Sequence, residues 1–204
     1  MGIILALINK GMPNIGHCKI KLLLLHKPMI VEEIKRHCNP SVFLKKELEP
    51  EAVGLLLRAG LFFATEEAQD SLEIYVTDNG HAIERIAEAR EDKARAILGA
   101  PLVVAVTADR LYDGAWIENS SRAVWMMCAQ AASMKISYCV VQIRGYALGD
   151  GTLADEVVRG ILGIPDSKTV YALVAFGYAA DYGAVAGDES LGWERIHIGE
   201  NGKM

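Results

Sequence analysis

One stretch, residues 101–144, constrains the fold of this chain more than any other. It reads PLVVAVTAD, a short acidic link to Trp116, ENSSRAVWMMCAQAASMK and then ISYCVVQIRG. Between positions 123 and 134 only Gln130 and Ser133 are polar, and a helix apolar on nearly every face must be covered on nearly every face. The helix therefore belongs to a core or a subunit interface, and Trp125 within it is expected in the core. The flanking runs, 102–106 and 138–143, are short and rich in β-branched residues, as strands buried in a sheet should be. Strand, apolar helix and strand form one unit around which the other segments are layered.

Length and charge narrow the function classes. A chain of 204 residues, half of them apolar, buries a sizeable core in one domain. Twenty-one basic against 26 acidic side chains give a net charge of −5 with no long run of one sign. Neither nucleic acid nor an anionic membrane is expected as a main partner. No apolar run approaches the ~20 residues that span a bilayer. The opening MGIILALINKG is too short for a secretory signal, and Ala6 stands where N-myristoylation wants Ser or Thr. A cytoplasmic protein is expected.

The four cysteines, Cys18, Cys38, Cys128 and Cys139, share no metal or disulfide-framework spacing. Cys128 and Cys139 read as small core residues. The dipeptides His17-Cys18 and His37-Cys38 offer four soft ligands to zinc but lack the tight loops of zinc knuckles, so no metal is expected.

Residues 1–29 hold two apolar patches broken by Gly11, Pro13 and Gly16 and read as an N-terminal extension, with one domain over 30–204. A short helix is expected over 30–36, ended by Asn39-Pro40, and a second from Pro50 to about Phe63 with Val53, Leu56, Leu57 and Gly60 on one face. LEIYVT at 72–77 is a strand followed by the Asp78-Asn79-Gly80 turn, and 81–98 an amphipathic helix. Beyond the central unit, Thr152 and Asp155 resemble a capping box for a helix to about Leu162, stopped by Gly163 and Pro165. VYALVAF at 170–176 is a buried strand, 178–190 a loop, and LGWERIHI at 191–198 a last extended segment. The irregular mixture of helices and strands points to an α+β sandwich.

Catalytic motifs are scarce. There is no glycine-rich nucleotide loop, no Gly-x-Ser-x-Gly elbow and no His-x-x-x-His pair. Trp116, Trp125 and Trp193 are candidates for stacking on a planar ring.

The series GAPLVVAVTAD, WIENSSRAVWMMCAQAASMKISYCVVQIRG, VVRGILGIPDSKTVYALVAFGYAAD and LGWERIHIG resembles the nitroreductase family, especially small members whose central strand carries the triplet Gln142-Ile143-Arg144. The match runs in order over about residues 100–199. It implies a three-layer α-β-α sandwich with a central mixed sheet, assembled as an intertwined homodimer with the apolar helix at its interface. It further implies FMN as cofactor, NAD(P)H as hydride donor, and nitroaromatics, quinones or related acceptors. Carried over position by position, the backbone of Val141, Gln142 and Ile143 falls where relatives approach the flavin, and Arg144 closes the triplet. Asn119 and Ser121 fall at the start of the interface helix, where relatives commonly have Asp and Ser.

The N-terminal half departs from the family pattern. Aligned on Phe43, the segment IKRHCNPSVF has no arginine where the family's Arg-Arg-Ser-x-Arg motif holds the phosphate. A two-residue shift makes Lys35 and Arg36 the basic pair. The segment FATEEAQDS at 63–71 keeps none of the polar residues that contact ribityl chain and ring, and Gly183-Ala184-Val185 replaces the family's late cation. These losses define the alternative, a nitroreductase-fold protein without FMN that serves as a binding or regulatory subunit.

Overall fold

A computed structural model of the chain describes residues 30–62, 71–90, 93, 96–109, 111, 114–180 and 195. The segments expected at 1–29 and 63–70, the segment at 191–198 apart from residue 195, and all but the start of the 178–190 loop lie outside the described residues. Helix α1 spans Ile30–His37, with Glu32 and Glu33 in its first turn and Lys35, Arg36 and His37 in its last, charges that complement the helix dipole at both ends. Asn39 terminates the segment at a positive φ of 54°, a region Asn tolerates better than most residues. Helix α2, Pro50–Phe62, begins on proline, whose missing N–H is one the first turn leaves unbonded anyway.

Strand β1, Leu72–Thr77, matches the LEIYVT run. Helix α3 covers Gly80–Glu88, its first turn capped by Asn79, whose side chain accepts from the His81 and Ala82 amides. The helix expected to reach residue 98 thus ends ten residues early. Its last turn tightens, with the Ala89 and Arg90 amides bonding the Ile86 and Ala87 carbonyls three residues back at 3.1 and 3.2 Å, and Gly99 takes a positive φ of 82° in the turn before β2. Strand β2, Leu102–Ala108, is buried at every position. Helix α4, Trp116–Ser133, is the apolar helix, followed by strand β3, Ser137–Gln142, helix α5, Ala154–Leu162, and strand β4, Thr169–Gly177. The capping box at Thr152 does not form. Leu153 occupies the cap position without a side-chain bond, while Asp155 is drawn to the Val170 amide and to Arg159.

The four strands pair antiparallel in the order β1-β2-β4-β3. The parallel component of the expected mixed sheet is, among the described residues, a bridge between Cys38 and Tyr138. Side chains alternate across the sheet with the two-residue period of extended chain. Val103, Ala105, Val141 and Leu173 face α3 and α5 through Ile83, Ile86, Ala154 and Val158. Val104, Val106, Tyr138 and Val174 face α2 and α4 through Leu56, Val124, Met127 and Cys128. The expected three layers, helices on both faces of one sheet, are therefore present. No helix among the described residues is long and apolar enough to cross a membrane.

Trp125 corrects the expectation for α4. It is 52% exposed, because a 3.6-residue period that turns Ala123, Val124, Met127 and Cys128 inward turns Glu118, Arg122 and Trp125 outward.

Candidate cofactor site at the edge of strand β3

Strand β3 is an edge of the described sheet. The Ile143 and Arg144 amides both donate to the Tyr171 carbonyl of β4, at 3.4 and 3.2 Å. Residues 139, 141 and 143 thus turn their main-chain groups toward β4, and the period of two turns those of Tyr138, Val140 and Gln142 to the open side. Two elements occupy the ends of that edge. The Asn39 amide donates to the Tyr138 carbonyl at 2.8 Å, and Arg90 Nη1 donates to the Gln142 carbonyl. Val140 lies between them.

The predicted residues divide between these two ends. At the far end Val141 and Ile143 are buried, so their side chains anchor the strand, while Gln142 and Arg144 are exposed. The first turn of α4 comes to the same place: the Arg144 guanidinium stands 5.8 Å over the Trp116 ring, and that ring meets Tyr171 edge-on at 6.5 Å. Asn119, one turn along α4, is buried and accepts from Arg122 at 3.2 Å. Ser121 is half-buried; the inward serine is Ser120, whose Oγ has no hydrogen-bond partner among the described residues.

Lys35 and Arg36 are at the opposite end, roughly 16 Å away by five rises of ~3.3 Å per residue. The end of α1 is pinned there by the Tyr138 hydroxyl on the Ile34 carbonyl at 3.2 Å and by Ser137 Oγ against His37 Nδ1 at 3.5 Å. Arg36 is more than half exposed and lies 3.8 Å from Glu33. His37 is buried with Nε2 3.6 Å from Glu33. Burial is the first cause holding its pKa below 6.5, and Arg36 and Lys135 lower it further against the raising effect of Glu33. Lys135, exposed just before β3, thus stands near the His37 end of α1, as does Arg36.

Sequence reasoning missed Lys135 and Arg90. Arg90 carried a signal: it stands at i+7 from Ile83 on the face shared with Ile86 and Ala87, an inward position for a charged residue. The three described thiols are poor nucleophiles. Burial pushes the Cys139 pKa up to about 11 and raises those of Cys128 and Cys38, which keeps them protonated. No cluster of His, Cys, Asp and Glu able to hold a metal occurs among the described residues; His17-Cys18 lies outside them. A cavity of about 870 Å³ opens at the opposite edge of the sheet, between Lys45, Val53, Val76, Ile83 and Leu102, and includes none of the predicted residues.

No protein-family model and no curated protein sequence matches the chain. Solved structures do. An FMN-dependent nitroreductase from Clostridium difficile superposes with a TM-score of 0.77 at 22% identity, over 83% of this chain and 99% of that one. The chain has the nitroreductase fold. A putative NADH dehydrogenase/NAD(P)H nitroreductase from Parabacteroides distasonis follows at TM-score 0.72 and 20% identity, over 84% and 98%. A nitroreductase with bound FMN from Bacteroides fragilis gives 0.64 and 22%, over 84% and 98%.

The residues of the β3 edge fit such a ligand unevenly. Strand-edge peptide groups, Trp116 and Arg144 suit a planar heteroaromatic ring, and the cationic group at the start of β3 suits an anionic tail. These cations lie on half-buried or exposed side chains, and the buried position beside them is taken by a histidine whose charged form burial disfavours. The phosphate would be held by solvent-screened attraction rather than by a buried cradle.

Proposed function

We propose that this protein is a flavin-dependent oxidoreductase of the nitroreductase type, reducing nitroaromatic, quinone or related acceptors with NAD(P)H. Bound FMN would supply the hydride-accepting and hydride-donating centre. The chain's own residues orient it. Val140 and Gln142 offer main-chain groups along the edge, Trp116 and Arg144 flank the ring end, and Asn119 and Ser121 support the first turn of α4 beside it. Lys35 and Arg36, with Lys135, face the phosphate.

The observation that carries this reading is the β3 edge, which among the described residues is only partly covered. Asn39 takes one end, Arg90 takes the other, and chemically distinct groups stand at each. A homodimer completes the proposal. Trp125 on α4, with Leu61 and Phe62 at 52% and 71% exposure on the neighbouring α2, supplies an apolar surface suited to a second copy. A cytoplasmic location fits this chemistry.

A second reading is favoured by one specific feature, the absence of arginine at positions 37–41 together with a buried His37 beside Glu33. On that reading the scaffold is kept as a binding or regulatory subunit without flavin. The visible spectrum of the purified protein after incubation with excess FMN separates the two. Flavin absorbance that stays with the protein through gel filtration, with NAD(P)H oxidation, is expected. A colourless protein that oxidises no NAD(P)H overturns the first reading.

A further inference from the structure

Arg36 lies against Glu33, Arg159 against Asp155 and Asp166, and Lys168 against Glu73. Arg144 differs. It is exposed, has no carboxylate partner among the described residues, and sets its guanidinium 5.8 Å over the Trp116 ring. Glu118 stands in the same first turn of α4 as Trp116 and is also exposed, yet among the described residues it forms no ion pair with Arg144. A guanidinium seated on an indole keeps its planar fork of N–H donors for another acceptor.

The frame beneath this cation is fixed. The Ile143 and Arg144 amides both donate to the Tyr171 carbonyl, and the Tyr146 amide donates to the Ile143 carbonyl at 3.1 Å. Gly145 turns the chain at a φ of 75°, a conformation that suits glycine, so Arg144 projects from a held corner. Trp116 and Tyr171 are half-buried and meet edge to face, which steadies the ring on which the guanidinium rests. The indole N–H and the Tyr171 hydroxyl make no hydrogen bond among the described residues. Two rings, two neutral donors and a planar cation thus form a shelf whose unmet partner is an anion. Its shape suits a flat ring, and its charge suits a carboxylate on that ring, taken by two parallel N–H···O bonds.

We propose that the shelf of Arg144, Trp116 and Tyr171 binds the anionic substituent of the acceptor, so that the preferred substrates are aromatic carboxylates such as nitrobenzoates or carboxylated quinones. This names the substrate class of the flavin oxidoreductase reading above and rests on that reading. Arg144 binds and orients the acceptor and takes no part in proton or hydride transfer.

The test uses the full-length protein loaded with FMN and compares para-nitrobenzoate with para-nitrobenzyl alcohol, which carries the same ring and nitro group without the charge. Affinity is measured by calorimetry without NAD(P)H, and kcat/KM by turnover, for wild type, Arg144→Lys and two neutral variants, Arg144→Gln and Arg144→Met. Wild type is expected to prefer the carboxylate by about tenfold in both measurements, as one partly screened charge-assisted contact allows. The neutral variants should lose that preference, and Arg144→Lys, which keeps the charge but not the fork, should retain about a third of it. A wild type without the preference, or a folded neutral variant that keeps it, overturns the inference. So does a loss that falls on the KM of NADPH and not on the acceptor, because the guanidinium would then serve the donor's phosphate. A wild type that binds no flavin overturns the functional reading and this inference with it, so the two failures are distinct.

Discussion

Two glycine-to-alanine substitutions should change stability in opposite directions. At Gly177, the last residue of β4, an added Cβ would lie 2.6 Å from Pro101 Cδ and 2.7 Å from Phe43 Cδ1, inside van der Waals contact with two rings. Overpacking of this kind costs about 1–3 kcal/mol, and the stiffer unfolded chain returns about 0.4–1 kcal/mol. A net loss of about 1–2 kcal/mol, at ~2–4 °C per kcal/mol for a chain of this size, lowers the melting temperature by about 2–8 °C. At Gly54, on the exposed side of α2, the added Cβ meets nothing within 4 Å, so helix propensity alone should raise stability by about 0.5–1 kcal/mol. The displacement at Gly177 should also reach the site. Phe43 belongs to the segment in which Leu44 donates to the Tyr178 carbonyl at 2.7 Å and Val42 accepts from Ala180 at 3.1 Å, and that segment carries Asn39 on its upstream side. Calorimetry measures the first effect, and hydrogen exchange at the Asn39 amide, faster in Gly177→Ala, measures the second. A Gly177→Ala protein that melts at or above wild type refutes the packing argument.

Reversing the cations at the start of β3 with Lys35→Glu and Arg36→Glu should weaken FMN by about tenfold at low salt, at roughly 0.5–1 kcal/mol per exposed charge, and leave riboflavin unchanged. Equal losses for both flavins in fluorescence titrations would remove the phosphate from that end. His37, with its pKa held below 6.5 by burial, binds fewer protons folded than unfolded, so its contribution to stability is full above about pH 6.5 and is lost as the pH falls through the lower folded value. Urea midpoints between pH 7.5 and 5.5 should fall for wild type and stay flatter for His37→Asn; parallel curves would contradict this. Trp125→Glu should convert a dimer to a monomer in light scattering, and an unchanged mass would move the interface elsewhere.

The fold was legible where burial and period agreed. The runs of β2, β3 and β4 are apolar enough that no other state accommodates them, and α4 was visible from its lack of polar residues. That composition did not reveal which face stays uncovered, and Trp125 was misplaced for that reason. The length of α3 was misjudged because the amphipathic pattern continues past Glu88, while the backbone there tightens to i→i−3 bonds at Ala89 and Arg90, a change the pattern does not record. The far end of the proposed site is one contiguous run, 141–144, which a sequence displays directly. Its proposed near end combines α1 with Lys135, about a hundred residues apart in the chain, so sequence reading could name Lys35 and Arg36 from a motif but had no local signal for Lys135.

The proposed site is placed at β3 by what each part of the sheet leaves unbonded among the described residues. Both faces are covered by helices, so main-chain hydrogen-bonding groups are offered only at edges. The β1 edge is lined by polar side chains: Lys168 bonds Glu73 at 2.8 Å and the Ser71 carbonyl at 3.2 Å, and Tyr75 donates to Glu73 at 2.6 Å. Lys168 and Tyr75 hold the Glu73 carboxylate below its ordinary pKa. That edge is blunted by charge. The β3 edge is blunted differently, by a neighbouring segment at Tyr138 and by a guanidinium at Gln142, and the interval between them carries the apolar Val140 and no charge. On the proposed reading, an uncharged stretch of strand edge with cations toward each end suits an elongated anionic ligand and gives a second β-strand too short a run to pair with. A charge introduced at the centre of the interval, as in Val140→Lys, should therefore abolish flavin binding, with the melting temperature lowered by about 2–8 °C because Val140 packs partly against the α2–α4 core; flavin binding retained by a folded variant would refute the placement.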